Sequence, residues 1–238
     1  MASEKPVVLV FGAGANIGAA LVRKFSGAAY RVAAVSRNAA DPPVPSPDGG
    51  TLAVRADLSH PAQVSHAFDA VRQTWGAFPS VVIWNVANVT ASPDQNNIFS
   101  VPLPSFDKDL ALMVTSPFAA AGKCFEVWGA AGEESTAAPK RFIMTGNIQP
   151  KVIVPLPDFT TIGVAKAGAA YWVGAADLFY KKRGWRFFFA EERSAEGTPM
   201  GFTPGAESHA EMFLSLSEGS EDLPSYITFV NGKYHAFE

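Results

Sequence analysis

Residues 7–18, VVLVFGAGANIG, decide the fold. An apolar, β-branched run stops at Gly12, and small residues then lead into an alanine-rich helical pattern over 16–27. This is a strand, a tight glycine turn and a helix N-terminus. Such a turn brings backbone N–H groups close to a pyrophosphate, and the helix dipole adds to the attraction. The stretch predicts a dinucleotide site at Gly12, Gly14, Asn16 and Ile17.

Further apolar segments of strand length lie at 31–36, 51–55, 81–85, 141–145, 185–190 and 226–230. Helical patterns fall between them at 16–27, 61–76, 105–130, 160–182 and 206–217. Alternating strands and helices predict a three-layer, doubly wound α/β fold with a mostly parallel sheet covered on both faces. A chain of 238 residues suits one such domain over 1–238. Residues 38–50, NAADPPVPSPDGG, read as a surface loop. Pro117 lies inside the 105–130 pattern and should bend or break that helix. Ligands of open α/β sheets bind beyond the carboxyl ends of the strands, so the segment 191–217 is placed to cover a substrate.

Formal net charge is −3 with both signs scattered, which argues against nucleic acid or an anionic membrane as partner. The lone cysteine, Cys124, excludes an internal disulfide and a multi-cysteine metal cluster, and reads as buried filler. The histidines, His60, His66, His209 and His235, form no metal-ligand set, so no metal site is expected. His209 is the one histidine placed for chemistry. No signal peptide stands out, and no run reaches the roughly 20 apolar residues that a membrane span needs. A cytoplasmic location is the resulting expectation.

The turn GAGANIG is not GxGxxG, because its third glycine comes one residue late. The second strand ends in Ser36-Arg37-Asn38. An NAD site often carries a carboxylate there for the ribose hydroxyls. A guanidinium instead holds a 2′-phosphate through charge-assisted hydrogen bonds, so NADP(H) is the expected cofactor. Asp57 fits two roles, the adenine edge with Leu58 against the ring, or a cap for the helix near Pro61. Asn85-Val86-Ala87 ends the fourth strand, where a small residue admits the adenosine ribose. Asn85 there can also stitch neighbouring strands together.

These positions resemble the short-chain dehydrogenase/reductase family over nearly the whole chain. GAGANIG is similar to its glycine motif with Asn16 in place of a glycine, Asp57-Leu58 to its adenine-side pair, and Asn85-Val86-Ala87-Asn88 to its NNAG motif. Lys166 matches the lysine of YxxxK. The stretch from YKKRGWRFFFAEER to HAEMFLSL resembles a divergent fungal group. The resemblance implies a seven-stranded Rossmann-like sheet, a nicotinamide cofactor, and a homodimer or homotetramer. It also implies that the usual catalytic tyrosine falls on Ile162, the serine on Gly146 or Asn147, and the helix asparagine on Met113.

Three residues remain as candidates for chemistry. Lys166 can hold the nicotinamide ribose, Asn147 can polarise a carbonyl or imine, and Asp158 can exchange a proton or stabilise a cationic substrate. Asp158 fits helix capping equally well. Glu191, Glu192 and Arg193 offer further polar lining, and Trp84, Phe159 and Phe202 offer apolar bulk. The leading expectation is an NADPH-dependent reductase acting on a C=O or C=N group of an apolar small molecule. A non-redox cyclase or isomerase and a non-catalytic cofactor-binding scaffold stand beside it.

Overall fold

A computed structural model describes residues 5–130, 138–219 and 222–237; the four residues that open the chain lie outside these. Seven strands of four or more residues are all parallel to their long neighbours: β1 (Val7–Phe11), β2 (Arg31–Ser36), β4 (Thr51–Arg55), β5 (Val81–Trp84), β6 (Lys140–Thr145), β7 (Trp185–Glu192) and β8 (Tyr226–Val230). Two short strands, β3 (Val44–Pro45) and β9 (Lys233–Tyr234), flank them, giving the order β3-β4-β2-β1-β5-β6-β7-β8-β9.

The mostly parallel Rossmann-like sheet therefore has nine strands, and the expected count of seven is corrected. Both additions are antiparallel edge pairs, Val44 opposite Ala53 and Phe229 opposite Tyr234. A two-residue strand carries no apolar run to find. The β8–β9 hairpin did leave a signal in the sequence. It turns at Asn231-Gly232, both at positive φ (48° and 76°), the Asn-Gly pairing that two-residue hairpin turns favour.

Side chains alternate between the two faces of each strand, so each strand feeds two cores. Val7, Leu9 and Phe11 pack under α2 (Val64–Trp75), α4 (Ser116–Ala130) and α5 (Thr160–Tyr180), a layer that includes the buried Cys124. Val8 and Val10 pack against α1 (Ile17–Gly27) and α6 (Ala206–Glu218). Helix α6 thus belongs to the layer beside α1. Within 191–217, only 193–205 loops past the carboxyl end of the sheet.

Helix α3 (Leu103–Leu110) runs into α4 through a widened π turn at Ala111–Thr115. Pro117 explains the turn. Proline has no N–H for the carbonyl four residues back and its ring crowds that turn, so the helix widens there and continues. The resulting run Leu103–Ala130 is, by length and composition, long and apolar enough to cross a bilayer, and a third of its most apolar window is buried in the protein.

Candidate functional site

The glycine turn is fixed by close approach. Gly12 has φ +86°, and a Cβ there would lie 2.3 Å from the Asn85 carbonyl oxygen. Only glycine meets both conditions without moving backbone. The amides of Gly12 and Ala13 donate to the Val35 carbonyl. Those of Gly14, Ala15, Asn16, Ile17 and Gly18 have no acceptor among the described residues. Unpaired helix-start donors of this kind suit an anion.

A cavity of about 510 Å³ opens in front of this turn. From the expected cofactor positions it is lined by Gly12 and Gly14, by Ser36, Arg37 and Asn38, by Asp57 and Leu58, and by Asn85, Val86 and Ala87. A Cβ on Gly14 would meet nothing within 4 Å. Arg37 is exposed, and no carboxylate among the described residues pairs with it. The Asp57 carboxylate accepts from the Ser59 amide and hydroxyl at 3.0 and 2.8 Å, and those bonds lower its pKa. Asp57 therefore shapes the turn before α2 while also facing the cavity. Asn85 stitches three strand ends, donating to the Gly12 carbonyl at 3.0 Å and accepting from the Thr145 hydroxyl at 2.9 Å. Asn16 and Ile17 stand beside the cavity, at the start of α1, without lining it; Ile17 is buried under the helix.

The three chemistry candidates are each bonded to other residues, and none bonds to another of the three. Lys166 is buried, and Nζ donates to the Thr145 carbonyl at 2.7 Å. Burial lowers its pKa to about 8. Both ends of the Asn147 amide are engaged by Gln149: Nδ2 donates to Oε1 at 2.6 Å, and Oδ1 accepts from its N–H at 3.2 Å. Asp158 Oδ1 accepts from the Ser92 amide and Gln95 Nε2 at 2.6 and 2.8 Å, which lowers its pKa and keeps it ionised. It pins the loop after β5 to the start of α5. Ile162 and Met113 share a small apolar cluster with Ala165.

Comparison with known proteins now adds to this geometry. No family model matches the chain. The short chain dehydrogenase/reductase dmxR12 of Cryptosporiopsis sp. (strain 8999) is 33% identical over 239 residues, covering 96% of this chain and 93% of that protein. The chain belongs to the short-chain dehydrogenase/reductase family. Solved structures share its fold at low identity. A short-chain dehydrogenase/reductase from Serratia marcescens BCRC 10948 matches with a TM-score of 0.75 at 18% identity, over 95% of this chain and 96% of that one. A 3-ketoacyl-(acyl-carrier-protein) reductase from Brucella melitensis, complexed with NADH, matches with a TM-score of 0.75 at 16% identity, over 94% and 96%. A metagenomic short-chain oxidoreductase in complex with NADP matches with a TM-score of 0.73 at 16% identity, over 96% and 97%.

In this short-chain dehydrogenase/reductase, strand β7 reaches two residues beyond the sequence expectation. Glu191 and Glu192 are accordingly buried on opposite faces, where a loop would have left them in water. Arg193 pairs with Glu191, and burial raises the Glu191 pKa. Glu192 Oε2 accepts from the Gly205 amide at 2.6 Å. His209 is also buried; Nδ1 lies 2.8 Å from the Gly205 carbonyl, and desolvation lowers its pKa. Glu192 and His209 thus fasten the start of α6 and do not line the cavity. Lys108, Asp109, Asn88 and Thr90 do line it. Sequence reasoning passed over Lys108 and Asp109 because helix position alone does not separate an inward carboxylate from a solvated one.

Proposed function

We propose that this chain is an NADPH-dependent reductase of an apolar small molecule bearing a polarised C=N or activated C=O group. One observation carries the reading: the Gly14 amide and Arg37, neither with a partner among the described residues, line one cavity at the head of a helix start whose next amides are also unpaired, and no carboxylate ends β2. The amides suit the diphosphate and Arg37 the 2′-phosphate. The residues present fit this cofactor, which would supply the hydride. Lys166 brings a buried ammonium to the carboxyl end of β6, as a ribose-holding role requires.

The side chains of Ile162 and Met113 carry no exchangeable proton. A ketone needs a proton at oxygen as hydride arrives; a cationic iminium needs none at nitrogen. The apolar cluster therefore favours a substrate already polarised. Phe99, Ile153 and Phe202 support an apolar substrate, since loops leaving β5, β6 and β7 hold these side chains in solvent at 84%, 86% and 76% exposure. Phe202 also lies 5.7 Å from Phe159, centroid to centroid.

Calorimetry with NADPH and NADH on the wild type and Arg37→Ala tests the cofactor. A charged hydrogen bond contributes about 1.5–3 kcal/mol, so the variant should bind NADPH at least roughly tenfold more weakly and NADH almost unchanged. Equal affinities for both cofactors, unchanged in the variant, overturn the 2′-phosphate assignment. Deuteride transfer from labelled NADPH to a panel of imines and ketones, read by mass spectrometry, tests the reaction. Tight binding without transfer across the panel moves the chain to non-redox or scaffold roles.

A further inference from the structure

Between the cavity and the start of α5 lies a buried carboxylate with no ion-pair partner among the described residues. Asp109 is 1% exposed. Its Oδ1 accepts from Asn88 Nδ2 at 2.7 Å, and its Oδ2 accepts from the Thr90 and Thr161 hydroxyls at 2.6 and 2.7 Å. No lysine, arginine or histidine among the described residues forms an ion pair with it. Burying a carboxyl group is costly unless its hydrogen bonds are met, and among the described residues one amide and two hydroxyls meet them here.

The knot joins three segments. Asn88 and Thr90 follow β5 and line the cavity; Asp109 lines it too and precedes the π turn; Thr161 opens α5 next to Ile162. Five residues on, the same helix carries Lys166. With its hydrogen bonds directed to protein donors, the carboxylate acts on what it holds. We propose that Asp109 is a positioning residue that, through Thr161, seats the start of α5 against the cavity wall made by Asn88 and Thr90 and so sets where that helix holds the Lys166 ammonium. This deepens the reductase reading and rests on it for the identity of the ligand.

The test uses Thr161→Val and Thr161→Ser, which leave the charge of Asp109 in place, with Asp109→Asn as a third variant. Three readings are taken on each full-length protein: NADPH affinity, the NMR titration of the Lys166 side chain, and melting temperature. Thr161→Val should weaken NADPH binding about tenfold and move the Lys166 titration by at least roughly half a pH unit. Thr161→Ser should restore both, and Asp109→Asn should weaken binding at least as much as Thr161→Val. A purely structural knot would lower the melting temperature of Thr161→Val and leave affinity and titration of the folded protein where they were; that result overturns the proposal. If the wild type binds no NADPH, the cofactor reading falls by itself. The titration then decides alone, an unmoved Lys166 in Thr161→Val sinking the positioning role and a moved one sustaining it.

Discussion

Gly12 and Gly14 stand two residues apart and answer to different constraints. At Gly12 the backbone is left-handed and the neighbouring carbonyl leaves no room for a methyl group. Gly12→Ala combines a disfavoured φ with a backbone clash, so a loss of about 3 kcal/mol or more is expected, read as a lower melting temperature and poor yield. At Gly14 the space is open and belongs to the cavity. Gly14→Ala should therefore melt within about 1 kcal/mol of the wild type and still bind NADPH roughly tenfold more weakly. Melting curves and calorimetry on the pair separate folding from ligand space. A Gly14→Ala protein that binds NADPH normally would remove the diphosphate from this turn.

Helix α5 shows what an element conceals from its sequence. The small residues of IGVAKAG announce a closely packed helix, and the lysine announces a site, but nothing in the spacing says that the ammonium is buried. Burial holds Lys166 at a pKa near 8 against 10.5 for the free side chain. Between those values the unfolded chain binds more protons than the folded one, so stability rises with pH across that window and the penalty is complete below about pH 8. The gap corresponds to roughly 3 kcal/mol. Lys166→Met should thus raise the melting temperature at pH 7 relative to wild type, and the two curves should converge toward pH 10. A variant that melts lower throughout would mean that the Thr145 bond outweighs desolvation. The long strands and most helix limits were legible because apolar period and glycine turns act locally. The π turn was half legible, since Pro117 announced a disturbance but not its form. Buried Glu191, Glu192 and Asp109 were not, because a carboxylate goes inside only when donors distant in sequence meet it, as Thr161 meets Asp109 across 52 residues.

At the scale of the whole molecule, the outer side of α5 has no partner among the described residues. Val164, Ala167, Gly168, Tyr171, Ala175, Leu178 and Phe179 are all exposed and recur at helical spacing without a charge among them. Phe118 and Phe125 of α4 extend this surface, and Phe118 meets Trp172 edge-on with centroids 5.6 Å apart. Contiguous apolar patches of this kind mark interfaces. Small residues among the large ones let a second helix approach closely. We propose that a second copy covers this face by two-fold symmetry, giving the homodimer, or the half of a homotetramer, that the family resemblance leads one to expect. Tyr171→Glu with Leu178→Glu places two carboxylates in the middle of such an interface, where burial without partners is prohibitive. Light scattering should find the wild type as a dimer or tetramer at micromolar concentration and the double variant as a monomer. Because α5 also carries Lys166, the monomer should bind NADPH more weakly than the assembly. A wild type that stays monomeric as concentration rises would leave this face to some other partner and would separate the site from assembly.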